Sequence, residues 1–256
     1  MPTLRIMSFN MRYPCPADGA NAFPHRKGRI LATLNGTAPD IIGFQEITPE
    51  MRDFLVESLP GYYTVGGGRD ADYGGEASLI AFKKNVFALL ACDTIMLSST
   101  PSVFGSRYEG SDQSFCPRVY TRVLLKHREI AEPFYVYNVH TDHVGSMARM
   151  LASVQLLQDI TSQGRRFFLT GDFNAPPTAP EIAMLTACRT RAIADATGGL
   201  GPTFHGFGQC PCPEKIDYIF TDSDTRVTAA VRIEDTPAEG EPYISDHNPI
   251  YIDTEL

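Results

Sequence analysis

With 256 residues, 43% of them hydrophobic, the chain can bury a full core and needs no more than one domain, residues 1–256. Its 22 Lys and Arg against 30 Asp and Glu leave a net charge of −8. That balance argues against a non-specific duplex binder, because an acidic surface repels a polyanion at long range, but it leaves room for a small phosphorylated substrate met through a divalent cation.

Alternation from Leu4 to Phe9 predicts a first strand. Pro24 to Asn35 has helical spacing broken by Gly36 and Pro39, Ile41 to Phe44 is a short buried strand, and Pro49 to Leu59 is a helix stopped by Pro60-Gly61. From Tyr62 to Lys126 the pattern is mostly strand, in YYTV, ASLIAFKK, VFALLACDTIML and VYTRVLLKH, interrupted by a Ser- and Gly-rich loop from Ser98 to Pro117. Pro133 to Val139 is another strand. Ser146 to Ser162 is the best amphipathic helix, with Met150, Leu151, Val154, Leu157 and Ile160 repeating at helical spacing. Phe167 to Thr170 predicts a strand, Ala179 to Cys188 a helix, and Lys215 to Phe220, Arg226 to Ile233 and Pro249 to Ile252 the closing strands. Many antiparallel-looking strands with helices between them predict two sheets packed face to face, helices outside.

The six cysteines include one close pair, Cys210 and Cys212, whose spacing suits neither a zinc knuckle nor a disulfide. Free, mostly structural thiols in a reducing compartment are expected. The first residues, MPTLRIMSFNMRY, hold no apolar signal core, and no apolar run reaches membrane-spanning length. The expectation is a soluble, cytoplasmic monomer with no membrane partner.

The stretch FLTGDFNAP, Phe168 to Pro176, ends a strand on Asp172 and Asn174. Strand periodicity places these two on one face; an Asx-type turn is the plainer reading, and half of a metal-phosphate site the sharper one. Other apolar runs end or begin alike. Ser8-Phe9-Asn10, Phe44-Gln45-Glu46, Asn138 to His143, Ile216-Asp217-Tyr218 and Ser245 to Asn248 each put cation- or phosphate-binding side chains at a strand end.

The ordered set SFNMRY, PDIIGFQEI, YNVHTDHVGSMAR, LTGDFNAPP, KIDYIF and SDHNPI, spanning Ser8 to Ile250, resembles the endonuclease/exonuclease/phosphatase family, metal-dependent phosphoesterases of the DNase I-like fold. The resemblance implies an α+β, four-layer αββα sandwich with its site between the sheets. By the same resemblance Glu46, with Asn10, would hold Mg²⁺, or Mn²⁺ in its place, and Asp246 would complete that site or serve a second one. Asn174 and His140 would donate to phosphate oxygens. His247 would act on the attacking water with Asp217 orienting its ring, and Asp172 would position that water; which of His247 and Asp172 takes the proton stays open. His143 is weighed as a substrate contact or a structural histidine, Arg118 as facing the site, Glu76 as a cleft residue or a solvated loop acid, and Arg149 as a phosphate contact or, preferably, the structural partner of a carboxylate.

Departures from the better-known branches narrow the substrate. No lysine follows Gln45-Glu46 as it does in abasic-site endonucleases, and the chain has no tryptophan. GRDADYGGEASLIAFKK, LSSTPSVFGS and CPRVYTRV resemble a bacterial subgroup of small stand-alone proteins. The implied activity is hydrolysis of a phosphodiester or phosphomonoester by direct attack of water. A phosphorylated small molecule, lipid headgroup or nucleotide is the favoured partner. A nuclease on single strands or RNA ends is the alternative, and an inactive binding protein of the same fold a further one.

Overall fold

A computed structural model describes residues 2–256. In chain order the elements are β1 (Thr3–Asn10), α1 (Phe23–Thr37), β2 (Ile41–Ile47), α2 (Pro49–Ser58), β3 (Tyr62–Val65), β4 (Ala77–Lys83), β5 (Phe87–Met96) and β6 (Val119–His127). The second half holds β7 (Phe134–His140), α3 (Ser146–Gln163), β8 (Phe167–Asp172), α4 (Pro180–Thr186), β9 (Ile193–Asp195), β10 (Asp217–Asp222), β11 (Arg226–Arg232) and β12 (Ile250–Glu255).

The strands make two six-stranded sheets, ordered β11-β12-β1-β2-β4-β3 and β5-β6-β7-β8-β10-β9. At the centre of each sheet lies one parallel pair, β1 with β2 and β7 with β8, joined across α1 and α3; the other pairings are antiparallel. A parallel pair needs such a crossover, so the helix ends up covering the sheet's outer face. The sheets are therefore mixed, mostly antiparallel as the strand pattern suggested but with one parallel pair each. Ile6, Phe82, Val136 and Phe168 belong to the core between the sheets, while separate cores lie under α1 and α2 and under α3 and α4. This is the α+β sandwich in four layers, and it explains why β8 is buried along its whole length: both its faces are covered.

One buried polar bridge crosses the interior. Asn138 of β7 donates through Nδ2 to the backbone oxygens of Phe44 and Leu79 on the other sheet, and its Oδ1 accepts from Gln45 and Thr170.

Other sequence expectations change as well. On α3 the buried residues are Ala148, Ala152, Ser153, Leu156 and Ile160, while Leu151 is exposed. The face against the sheet holds small residues toward its start, so of the expected stripe Ile160 is buried, Leu157 packs at the edge of the core, and Leu151 faces outward. The three-residue β9 was unforeseen; it pairs only with β10 at the sheet edge. The six cysteines are free, four of them partly buried and two exposed. Among the described residues no helix is long and apolar enough to cross a membrane.

Candidate active site

The site begins with strand register. His140, Asp172 and Asp217 lie side by side on β7, β8 and β10, at the carboxyl ends of the parallel pair. Residues in register on adjacent strands point to the same face, so pairing alone brings the three together. Across the sandwich β1 ends at Asn10, and β2 bulges between Phe44 and Ile47, where Glu46 takes left-handed backbone with φ 63°. Asn10 then joins the two sheets: its Nδ2 donates to Glu46 Oε1 at 3.0 Å and to Asp172 Oδ2 at 2.9 Å. Its Oδ1 accepts from Arg12 N, and Tyr13 N donates to Glu46 Oε2.

At Asp172 and Asn174 the plainer reading, an Asx-type turn, is what the structure holds. The strand ends at Asp172, and Asn174 N donates to Asp172 Oδ1 in an Asx turn, with Asn174 at φ 48°. That turn, rather than strand alternation, leaves Asn174 at the cleft, its Nδ2 donating to Thr141 O. His247 arrives on the loop before β12. Its Nδ1 lies 2.8 Å from Asp217 Oδ2 and its Nε2 3.8 Å from Asp172 Oδ2. His140 Nε2 stands 3.6 Å from the same oxygen.

Nine of the sequence-predicted residues line one cleft of about 760 Å³: Glu46, Glu76, Arg118, His140, His143, Asp172, Asn174, Asp246 and His247. Asn10 and Asp217 lie behind it, each bonded to residues that face it. Asn10 turns its amide nitrogen, not its oxygen, toward the acids, so in this arrangement it spaces Glu46 from Asp172. Glu76 is no solvated loop acid: it takes both terminal nitrogens of Arg69 in a fork. Arg149 binds Glu181 and the Asp142 carbonyl, away from the cleft. Sequence reasoning missed Arg12, Tyr13, Arg69 and Phe204, all on the cleft wall. The first two stand two and three residues after Asn10, within the SFNMRY motif, and had a signal there; Arg69 and Phe204 are delivered by loops without one.

Burial and the neighbouring Asp217 push the Asp172 carboxyl up to about 7. Burial works against charge on His247, but Asp217, with Asp172 and Asp246 beyond, outweighs it and holds the imidazolium well above the ordinary histidine value. Burial, helped by Arg118 and Arg69, keeps His140 neutral, well below that value.

Two groups bring side-chain donors within 4.8 Å of one another, Glu46–His140–Asp172 and Asp172–Asp217–His247; Asp246 belongs to neither. Glu46 is held only by neutral donors, and at Asp172 burial and Asp217 outweigh the nearby His247 cation, leaving a deficit of positive charge. Hard oxygen donors around that deficit fit a divalent cation at Glu46 and Asp172.

The sequence profile of the Endonuclease/Exonuclease/phosphatase family matches residues 7–247. The chain belongs to this family. Family members are phosphoesterases, and this one is a phosphoric ester hydrolase by class. The endonuclease/exonuclease/phosphatase from Bacteroides vulgatus is 30% identical over 100% of both chains, with a TM-score of 0.92. The Bacteroides thetaiotaomicron mannosyl-6-phosphatase is 25% identical, covering 99% of this chain and 100% of its own, at 0.88. D. rerio TDP2, solved with a single-strand DNA product, is 18% identical over 100% of both chains at 0.79 and shares the DNase I-like fold. None of the curated proteins compared matches the chain.

Proposed function

We propose that this phosphoesterase hydrolyses a small phosphorylated molecule, such as a sugar phosphate, by direct attack of water and with Mg²⁺ or Mn²⁺ bound. The observation that carries the reading is Asp172 flanked by two histidines, His140 and His247, with Glu46 tied to it through Asn10. The likeness to a mannosyl-6-phosphatase over the full chain supports the small substrate.

The roles follow from the donors. His247 spends Nδ1 on Asp217 and is held as the cation, so its Nε2 carries a proton and donates to the phosphate rather than accepting from water. Asp172, which lies beside both histidines, is then the group left to take the water's proton. Neutral His140 and the Asn174 amide donate to a second phosphate oxygen, where charge develops. A divalent cation at Glu46 would clamp a phosphate oxygen and offset charge on the leaving oxygen.

The test is release of p-nitrophenol from p-nitrophenyl phosphate and bis-p-nitrophenyl phosphate with Mg²⁺, Mn²⁺ or EDTA. Turnover should need metal, and His247→Ala should lower kcat by about 10²–10⁴-fold. Full activity in EDTA, or an unimpaired mutant, would sink the reading.

A further inference from the structure

The phosphoesterase reading leaves monoester and diester open, and a second group on the cleft wall separates them. Arg69, Glu76 and Arg118, with Glu46 and His140, border a recess of only about 10 Å³. That is room for about one oxygen-sized atom and too little for a carbon arm. Arg118 is 5% exposed, and its Nε is buried with no hydrogen-bond acceptor. The carboxylate beside it, Asp142 Oδ2, is 3.9 Å away. Asp142 is occupied elsewhere, accepting from Ser114 N and Oγ, Val144 N and Gly145 N. Arg118 Nη2 lies 2.9 Å from His143 Nδ1. A guanidinium only donates, so His143 Nδ1 accepts and the ring's proton sits on Nε2, a second donor on the cleft wall. Arg69 is pinned by its fork onto Glu76 and cannot swing in to compensate.

Arg118 borders the main cleft as well as this recess, and a buried guanidinium with an unmet donor there favours an anionic oxygen as partner. A phosphomonoester near neutral pH is a dianion with three terminal oxygens. A diester is a monoanion with two, its third position taken by a second carbon arm. His247, His140 and Asn174 already supply donors for two oxygens. We propose that Arg118 and His143 bind the third terminal oxygen, making the protein a phosphomonoesterase; the assignment rests on the phosphoesterase reading.

The experiment compares kcat/KM for p-nitrophenyl phosphate and bis-p-nitrophenyl phosphate in wild type, Arg118→Met and Arg118→Lys, with melting curves for all three. In parallel, inorganic phosphate and dimethyl phosphate are titrated calorimetrically. The wild type should prefer the monoester, and Arg118→Met should lower the monoester-to-diester ratio by about 10–100-fold, the effect of losing one charge-assisted hydrogen bond. Arg118→Lys should recover part of the ratio, and inorganic phosphate should bind at least about 10-fold more weakly to Arg118→Met, dimethyl phosphate much less so. A wild-type preference for the diester, or equal slowing of both esters in a folded Arg118→Met, overturns the assignment while the phosphoesterase reading stands. If wild type turns over neither ester, that reading falls. The phosphate titration then decides alone: equal affinity in wild type and variant overturns the subsite, and selective loss supports it. Should Arg118→Met not fold, the same comparisons are made with Arg118→Lys and His143→Ala, which must shift the ratio the same way.

Discussion

At Asp172, a native pKa near 7 against an ordinary 3.8 means that between those values the folded chain holds a proton the unfolded chain has released. Stability from this residue is therefore lost as pH rises from about 4 to 7. His140 works the other way: held neutral in the fold, it costs stability as pH falls below 6.5. The two partly cancel in the wild type, so the Asp172 contribution is isolated by comparison with Asp172→Asn. In EDTA, the urea midpoint of the variant relative to wild type should climb between pH 5 and pH 7.5. Parallel curves would show that Asp172 ionises normally. Divalent metal should also raise the wild-type midpoint more at pH 7.5 than at pH 5, because the cation competes with the proton at that carboxylate.

Among the elements, α3 shows what sequence pattern does and does not tell. Its existence and limits were legible, but its buried phase only in part, because hydrophobic size marks large side chains while the start of this helix presents small ones to the sheet. Ala152→Leu should therefore cost about 1–3 kcal/mol by overpacking, and Leu151→Ala less than about 0.5 kcal/mol, both read from urea denaturation. The reverse ranking would restore the large-residue stripe. The strand-end residues fared differently. His140, Asp172 and Asp217 could be picked from motifs because each closes or opens an apolar run, yet their register depends on pairing partners far away in the chain. Arg26 carried no such signal. It is a fully buried side chain on α1 that donates to the carbonyls of Asn21, Met11, Arg12 and Ile244, joining the segment after Asn10 to the loop that brings Asp246 and His247. Arg26→Met should leave those carbonyls unmet and cost about 3–5 kcal/mol, checked by thermal and urea melts.

At the scale of the whole molecule the two sheets meet through polar as well as apolar contacts, and the tightest lies directly below the cleft. A Cβ on Gly43 of β2 would stand 2.1 Å from Thr170 Oγ1 and 2.5 Å from Asn138 Oδ1 of the opposite sheet. Gly43→Ala should therefore push the sheets apart at the Asn138 bridge and lower stability by about 1–3 kcal/mol. Because the bridge sits under both halves of the cleft, kcat should fall even in the folded fraction, which single-turnover assays can read.

Arg12, Glu46 and Asn174, all on the cleft wall, hold left-handed backbone that L residues adopt at roughly 1–3 kcal/mol each. Glycine would relax any of them. A population of variants sorted only for resistance to heat should therefore drift toward glycine at these three positions and become sturdier as it goes inert. The cleft persists in a lineage only while its chemistry is itself under selection.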